Sequence, residues 1–317
     1  MCDILCLCCI TLQLFLQQRT EYFFRFATLT FNTEFMRLEG RRESTNVDDR
    51  RGKKMGAGLG IGGAIIVGII ALLLGKDPSE AIQNLNVGES QTESAYTPTA
   101  EEEELASFTK KILAGTEDVW TAEFNKMGKK YIAPKLVLFT NAVQSGCGGA
   151  SSSSGPFYCS ADQTVYIDLS FFTTMKQQFG TAGDFAYAYV IAHEVGHHVQ
   201  YLLGTLGDAH ERMSRVSQTE SNKISVRLEL QADFYAGVWA NRDNAMFNSL
   251  EDGDIEEGLA IAARIGDDYL QKQAKGYTVP ESFNHGTSEQ RSRWLKKGIS
   301  TGNINDGDTF SPDYSKL

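Results

Sequence analysis

"VIAHEVGHHVQYLLG" (residues 190–204) sets His193, Glu194 and His197 in an otherwise mostly apolar run with helical spacing. Burying three ionisable side chains within a turn and a half of helix is costly unless something binds them. Residues four apart share a helix face, so the imidazoles of His193 and His197 stack on one side. Glu194, next to the first, points to where a water on a bound metal would sit. This HExxH pattern offers two neutral nitrogens to one Zn2+ and a carboxylate to take the water's proton.

A catalytic zinc needs a third protein ligand and an open fourth position. The extended pattern HExxHxxGxxH is excluded, because Gln200 and Leu203 stand where Gly and His are required. The remaining solution is a carboxylate from a following helix, with Glu211, Glu220 and Glu229 as candidates. Glu229 opens "ELQAD" within "RLELQADFYAGVWAN" (227–241), which puts Asp233 one turn further on the same face. Glu229 then ligates while Asp233 accepts the hydrogen bond of a ligand imidazole. Glu211 and Glu220 have polar surroundings and read as solvated. A di-metal carboxylate bundle needs paired Glu-x-x-His motifs, and the chain has no such pair.

Outward from this motif, residues 105–317 read as one mainly helical α+β domain with a small sheet. "SFTKKILAGTEDVWTAEFNKMGKKY" has helical spacing, "KLVLFT" and "TVYIDLSFF" read as strands, and the HExxH helix ends at Gly204. A polar stretch with Asp208, His210 and Glu211 follows, and "KISVRLEL" belongs to the ELQAD helix. "EEGLAIAARIGDDYLQKQA" and "SEQRSRWLKKG" add two more helices. Cys147 and Cys159 close a short loop between the two strands, and outside the cytoplasm such a pair is expected as a disulfide.

The first hundred residues differ in kind. Residues 55–75, "MGAGLGIGGAIIVGIIALLLG", carry no charge and are long enough to cross a hydrocarbon core, so a transmembrane helix is expected there. Arg41, Arg42, Arg50, Arg51, Lys53 and Lys54 precede it and only Lys76 follows closely. The positive-inside rule therefore predicts a single pass, with 36–54 as a cytoplasmic basic segment. On that reading 76–104 is a linker and the domain lies outside the inner membrane, periplasmic or extracellular. The Gly56 and Gly60 spacing permits copies to pair within the membrane. Residues 1–35, with Cys2, Cys6, Cys8 and Cys9 in no metal-binding spacing, read as an upstream extension before Met36. The formal net charge of -10 excludes a general nucleic-acid binder.

HExxH followed by ExxxD resembles the gluzincin metallopeptidases. The wider set "GRRESTNVDDRRG", "SGPFYCSADQTVYIDLSFF", "AHEVGHHVQ", "RLELQADFYAGVWA" and "ESFNHGTSEQRSRW" is similar to the neutral zinc metallopeptidase family of bacteria, of the YpfJ type. That resemblance covers nearly everything from Met36 onward. It implies a zincin-like fold, a membrane-anchored peptidase and a peptide or protein substrate. By analogy with that fold, Tyr166 and Asp168 in "TVYIDLSFF" sit on an edge strand above the cleft, pairing with substrate backbone. His285 and Arg291 in "FNHGTSEQR" are spaced like a late His and Arg of the HtpX-like membrane peptidases. His285 is then expected near the site as an oxyanion stabiliser or, failing that, as an exposed residue before a helix. His198 reads as packing. The competing function is a non-catalytic, membrane-tethered zinc-binding module, against which an intact Glu194 counts, since a structural ion needs no base.

Overall fold

A computed structural model describes residues 36–53, 96–179 and 183–317. The described residues are mainly helical, with a four-stranded mixed sheet and a separate two-stranded hairpin. The helical spacing after the polar linker becomes α1 (Ala100–Lys126), opened by a Thr99/Glu102 capping box, with Glu101–Glu103 in its first turn. Acidic residues there face the positive end of the helix dipole. Helix α1 buries Ile112, Trp120 and Phe124 in the core.

The sheet has the order β1–β2–β6–β5. Strands β1 (Val47–Asp49), β2 (Lys135–Phe139) and β6 (Thr164–Asp168) run parallel. Strand β5 (Phe157–Cys159) closes the edge antiparallel to β6. Apart from exposed Lys135, β2 and β6 are buried throughout, as expected of nearly continuous apolar strands covered on both faces. Strand β6 is therefore interior, and the edge strand expected at Tyr166 and Asp168 is instead β5. The Asp168 carboxylate accepts hydrogen bonds from Asn141 and Ser152, and the Tyr166 hydroxyl donates to Asp162. Both hold loops around the sheet. A hairpin, β3 (Ala142–Ser145) and β4 (Gly148–Ser151), carries Cys147 in its turn, and the Cys147–Cys159 disulfide ties it to β5.

Helix α2 (Ser170–Phe179) takes over the "SFF" that continues the β6 sequence. Helix α3 (Asp184–Leu203) carries HExxH and stops at Gly204, whose φ of 88° is the left-handed cap. The polar stretch with Asp208, His210 and Glu211 forms a short helix, α4 (Thr205–Met213). Helix α5 (Gln218–Phe247) carries ELQAD. The single helix expected over "EEGLAIAARIGDDYLQKQA" is two, α6 (Asp254–Arg264) and α7 (Asp267–Lys275). They break at Ile265 and Gly266, where a Cβ on Gly266 would fall 2.2 Å from the Ser288 amide nitrogen. Helix α8 (Ser288–Thr301) packs along α5. Gly237 and Gly298 face each other there, and a Cβ on Gly298 would lie 2.1 Å from the Phe234 carbonyl oxygen.

The basic segment expected over 36–54 is described as far as Lys53, and Met36–Lys53 packs into one compact unit with the described residues from Tyr96 onward. Met36 and Leu38 are buried in the core, and β1 pairs with β2. The predicted membrane span 55–75, its Gly-mediated pairing, most of the linker and residues 1–35 lie outside the described residues. Among the described residues no helix is long and apolar enough to cross a membrane.

Candidate metal centre

Helices α3 and α5 must approach closely for a carboxylate on one to reach imidazoles on the other. Gly196, inside the HExxH motif, makes that approach possible: a Cβ there would sit 3.0 Å from the Ala232 carbonyl oxygen. Across this contact the structure brings His193, His197 and Glu229 together, with ligand-capable atoms all within 4.8 Å of one another. His193 Nε2 is 3.2 Å from Glu229 Oε2, and His197 Nε2 is 3.5 Å from Glu229 Oε1. Glu211 and Glu220 are exposed and pair with Arg215 and Lys223.

The other nitrogen of each imidazole fixes its tautomer. His193 Nδ1 lies 2.8 Å from Asp233 Oδ1, and His197 Nδ1 lies 2.9 Å from Gln200 Oε1. Both partners accept, so both Nδ1 atoms donate and both Nε2 atoms, the ones left to bind a metal, face Glu229. Two imidazole nitrogens and a carboxylate converging in a buried space call for a cation, a proton or a metal ion. The spacing suits zinc: ligand atoms of a tetrahedral site with bonds near 2.1 Å stand about 3.4 Å apart. The donor set, two imidazoles and a carboxylate, also suits it.

The protein's own charges express the same demand. Burial opposes a charge on His193, but Asp233 and Glu229 outweigh it and hold that imidazole up at about 10. Burial takes His197 down to about 4. Burial would raise Glu229, yet the surrounding histidines hold it well below the carboxylate range.

Asp233 is fully buried and does more than orient His193. It also accepts from the Tyr189 hydroxyl at 2.6 Å and from Arg291 Nε and Nη2 at 2.8 and 2.9 Å. The late Arg is thus an ion-pair partner beneath the site, delivered by α8. The spacing of His285 and Arg291 does not name Asp233 as the partner of Arg291. Gln200 at i+3 from His197, and Tyr189 one turn before His193, are local signals in the sequence for the other two contacts.

The site opens into a cleft of about 400 Å3. Its walls include Phe157, Tyr158, Phe171, Leu206, Met213 and Ile265, so they are largely apolar around the polar centre. Glu194 lies buried at the cleft. Burial pushes its carboxyl up to about 7, against the lowering influence of His193 and, more weakly, of the Tyr158 backbone N–H. Strand β5 and the candidate base thus line the same cleft. His198 bolts that strand in place: its Nδ1 meets the Tyr158 hydroxyl at 2.9 Å and its Nε2 the Ile132 carbonyl at 2.6 Å. Packing describes His198 incompletely, and nothing local in the sequence points to either partner.

His285 lines the cleft as well. Its Nδ1 lies 3.2 Å from Asp267 Oδ1, while Asp267 Oδ2 accepts the backbone N–H groups of Asn284, His285 and Gly286. Burial works against charge on this ring, but Asp267 and Glu229 raise its pKa overall.

A helix bearing HExxH, a glutamate from a second helix and an aspartate behind the first histidine define the class of single-ion metallopeptidase sites with a Glu third ligand. Comparison with known proteins gives the family. The chain belongs to the family described as "Putative neutral zinc metallopeptidase", which matches residues 36–310. It is 47% identical over 286 residues to the uncharacterised protein YpfJ of Escherichia coli K12, covering 87% of this chain and 99% of that one. The uncharacterised protein Rv2575 of Mycobacterium tuberculosis H37Rv is 46% identical over 191 residues, 57% of this chain and 64% of that one. No solved structure matches the chain.

Proposed function

We propose that this protein is a membrane-attached zinc endopeptidase that hydrolyses peptide bonds at the His193–His197–Glu229 centre. The observation that carries the reading is Glu194. A structural ion needs only its ligands, whereas here a buried carboxylate poised near neutrality stands beside them in an open cleft. Zinc held by the three residues would polarise the scissile carbonyl and lower the pKa of water to about 7. Glu194 takes the proton of the attacking water and returns it to the leaving amine, which suits a group whose pKa lies near the working pH. Asp233 and Gln200 hold the two imidazoles in the ligand tautomer. The free edge of β5 pairs with substrate backbone, so recognition rests on main chain with apolar side chains against the cleft wall. His285, held by Asp267, donates to the oxygen that gains charge in the transition state.

The Cys147–Cys159 bond favours an oxidising compartment for this domain. Attachment to the membrane is assigned to residues 55–75, on their length and lack of charge.

Two amide variants and an unbiased peptide library test the reading. Glu194→Gln should keep near-stoichiometric zinc and lose cleavage by about 10²–10⁴-fold. Glu229→Gln should lose zinc itself. Undiminished cleavage by Glu194→Gln would exclude it as the base. If Glu229→Gln binds zinc like the parent, the third ligand is misassigned.

A further inference from the structure

The cleft runs along α3, because Val190, His193, Glu194 and His197 all line it. At 1.5 Å of helix per residue, Val190 and His197 stand about 10 Å apart. Beyond His197, α3 stops at Gly204 and α4 follows at once, bringing Leu206, His210 and Met213 into the wall. Leu228, one residue before the ligand Glu229, completes this end together with Tyr158 of β5. Leu206 and Leu228 are buried in a small apolar cluster, against which Tyr158 and Met213 pack.

Two polar side chains interrupt that apolar surface. His210 is exposed on α4, and Ser225 lies one turn before Glu229 on α5. Neither side chain has a hydrogen-bond or ion-pair partner among the described residues. Burial lowers the His210 pKa, so the ring is neutral at pH 7. The other ionisable groups along the cleft are engaged. His193, His197 and Glu229 form the centre, Glu194 serves as base, His285 faces Asp267, and Arg291 pairs with Asp233. A charged substrate side chain entering this end would lose water and find no counter-charge. An apolar stem would lie on Leu206 and Leu228, and an uncharged polar tip would find a hydrogen-bonding partner.

We propose that this end of the cleft is a specificity subsite, with the peptidase reading of the cleft as its premise. It takes a long side chain with an apolar stem and an uncharged hydrogen-bonding tip, such as glutamine, and His210 reads the tip. Glutamine and methionine have similar length and shape, but only the amide can donate to or accept from the imidazole. One hydrogen bond at an open site changes their ratio by about 3–10-fold.

The test is a positional peptide library cleaved by the zinc-loaded full chain and by its His210→Leu and Ser225→Ala variants. The preference for Gln over Met is read at every position flanking the scissile bond. Because it compares two substrates of one sample, incomplete folding of a variant cancels. In His210→Leu it should fall about 3–10-fold at one position and hold at the others. An unchanged ratio everywhere, or a fall at every position, would overturn the proposal. So would a fall in Ser225→Ala without one in His210→Leu. The same library is affinity-selected on immobilised Glu194→Gln, with and without His210→Leu, which separates the subsite from the peptidase reading. Loss of Gln enrichment on replacing His210 supports the subsite even where the parent cleaves nothing, and then only the peptidase reading falls. Equal enrichment on both removes the subsite, whatever the cleavage shows.

Discussion

Changing Asp233 to Asn separates what holds the fold from what holds the metal. The carboxylate is fully buried and accepts from His193, Tyr189 and twice from Arg291. An amide keeps its shape and can still accept from Tyr189. It leaves the Arg291 guanidinium, itself buried, without a counter-charge. Removing one partner of a buried pair costs about 3–5 kcal/mol, a large part of a total stability of about 5–15 kcal/mol. For a domain of this size that is a fall of roughly 10 °C in melting temperature. Separately, losing the carboxylate behind a ligand histidine should lower zinc affinity about 10–100-fold. Adding Arg291→Met removes the stranded charge while keeping the bulk of the stem. The Asp233→Asn/Arg291→Met pair should recover most of the melting temperature of the chelator-stripped protein and none of the zinc affinity. The assays are calorimetry of stripped protein and zinc competition against a chromophoric chelator. If stripped Asp233→Asn melts like the parent, the buried pair is not what stabilises this corner. If the double variant regains zinc affinity, Asp233 acts through charge balance and not by orienting His193.

Tyr158→Phe breaks the bolt between β5 and His198, and should raise KM several-fold with zinc content unchanged; an unaltered KM would remove β5 from substrate binding. Cys147→Ser opens a bridge spanning 12 residues. It should cost roughly 3 kcal/mol in denaturant titration without loss of zinc, and zinc loss would contradict the ligand set. Burial together with Asp254 and Glu257 raises the Asp184 carboxyl to about 7. An acid whose folded pKa is raised destabilises increasingly from pH 4 to 7, as the unfolded state ionises first. Asp184→Asn should therefore stabilise the protein by about 1 kcal/mol at pH 8, allowing for solvent screening, and by less at pH 4.5; an equal effect at both would refute the assignment. His285→Gln should lower kcat with zinc retained, and unchanged kcat would exclude His285 from oxyanion stabilisation.

Helix spacing, cap residues and the short ligand motif were legible because they are local. His193 and His197 share a face for any sequence that forms the helix, and Glu229 and Asp233 share one for the same reason. The end of α3 at Gly204 and the strands around Leu136 and Val165 follow from side-chain chemistry within a few residues. The polar partners of Arg291 and His198 were not legible. Arg291 meets Asp233 and His198 meets Tyr158 only because separate elements are packed together. The strand facing the cleft could not be chosen from the apolar pattern, since β6 and β5 differ in their neighbours and not in their alternation. The basic run before the apolar stretch shows the same limit most plainly. Read along the chain, Arg41, Arg42, Arg50 and Arg51 are a charge signal beside a hydrophobic segment. Folded, they are ion-pair partners of carboxylates up to two hundred residues away, and β1 is a strand of the domain's main sheet. Charge can be counted in a sequence, but what neutralises it depends on contacts that only the packed chain makes.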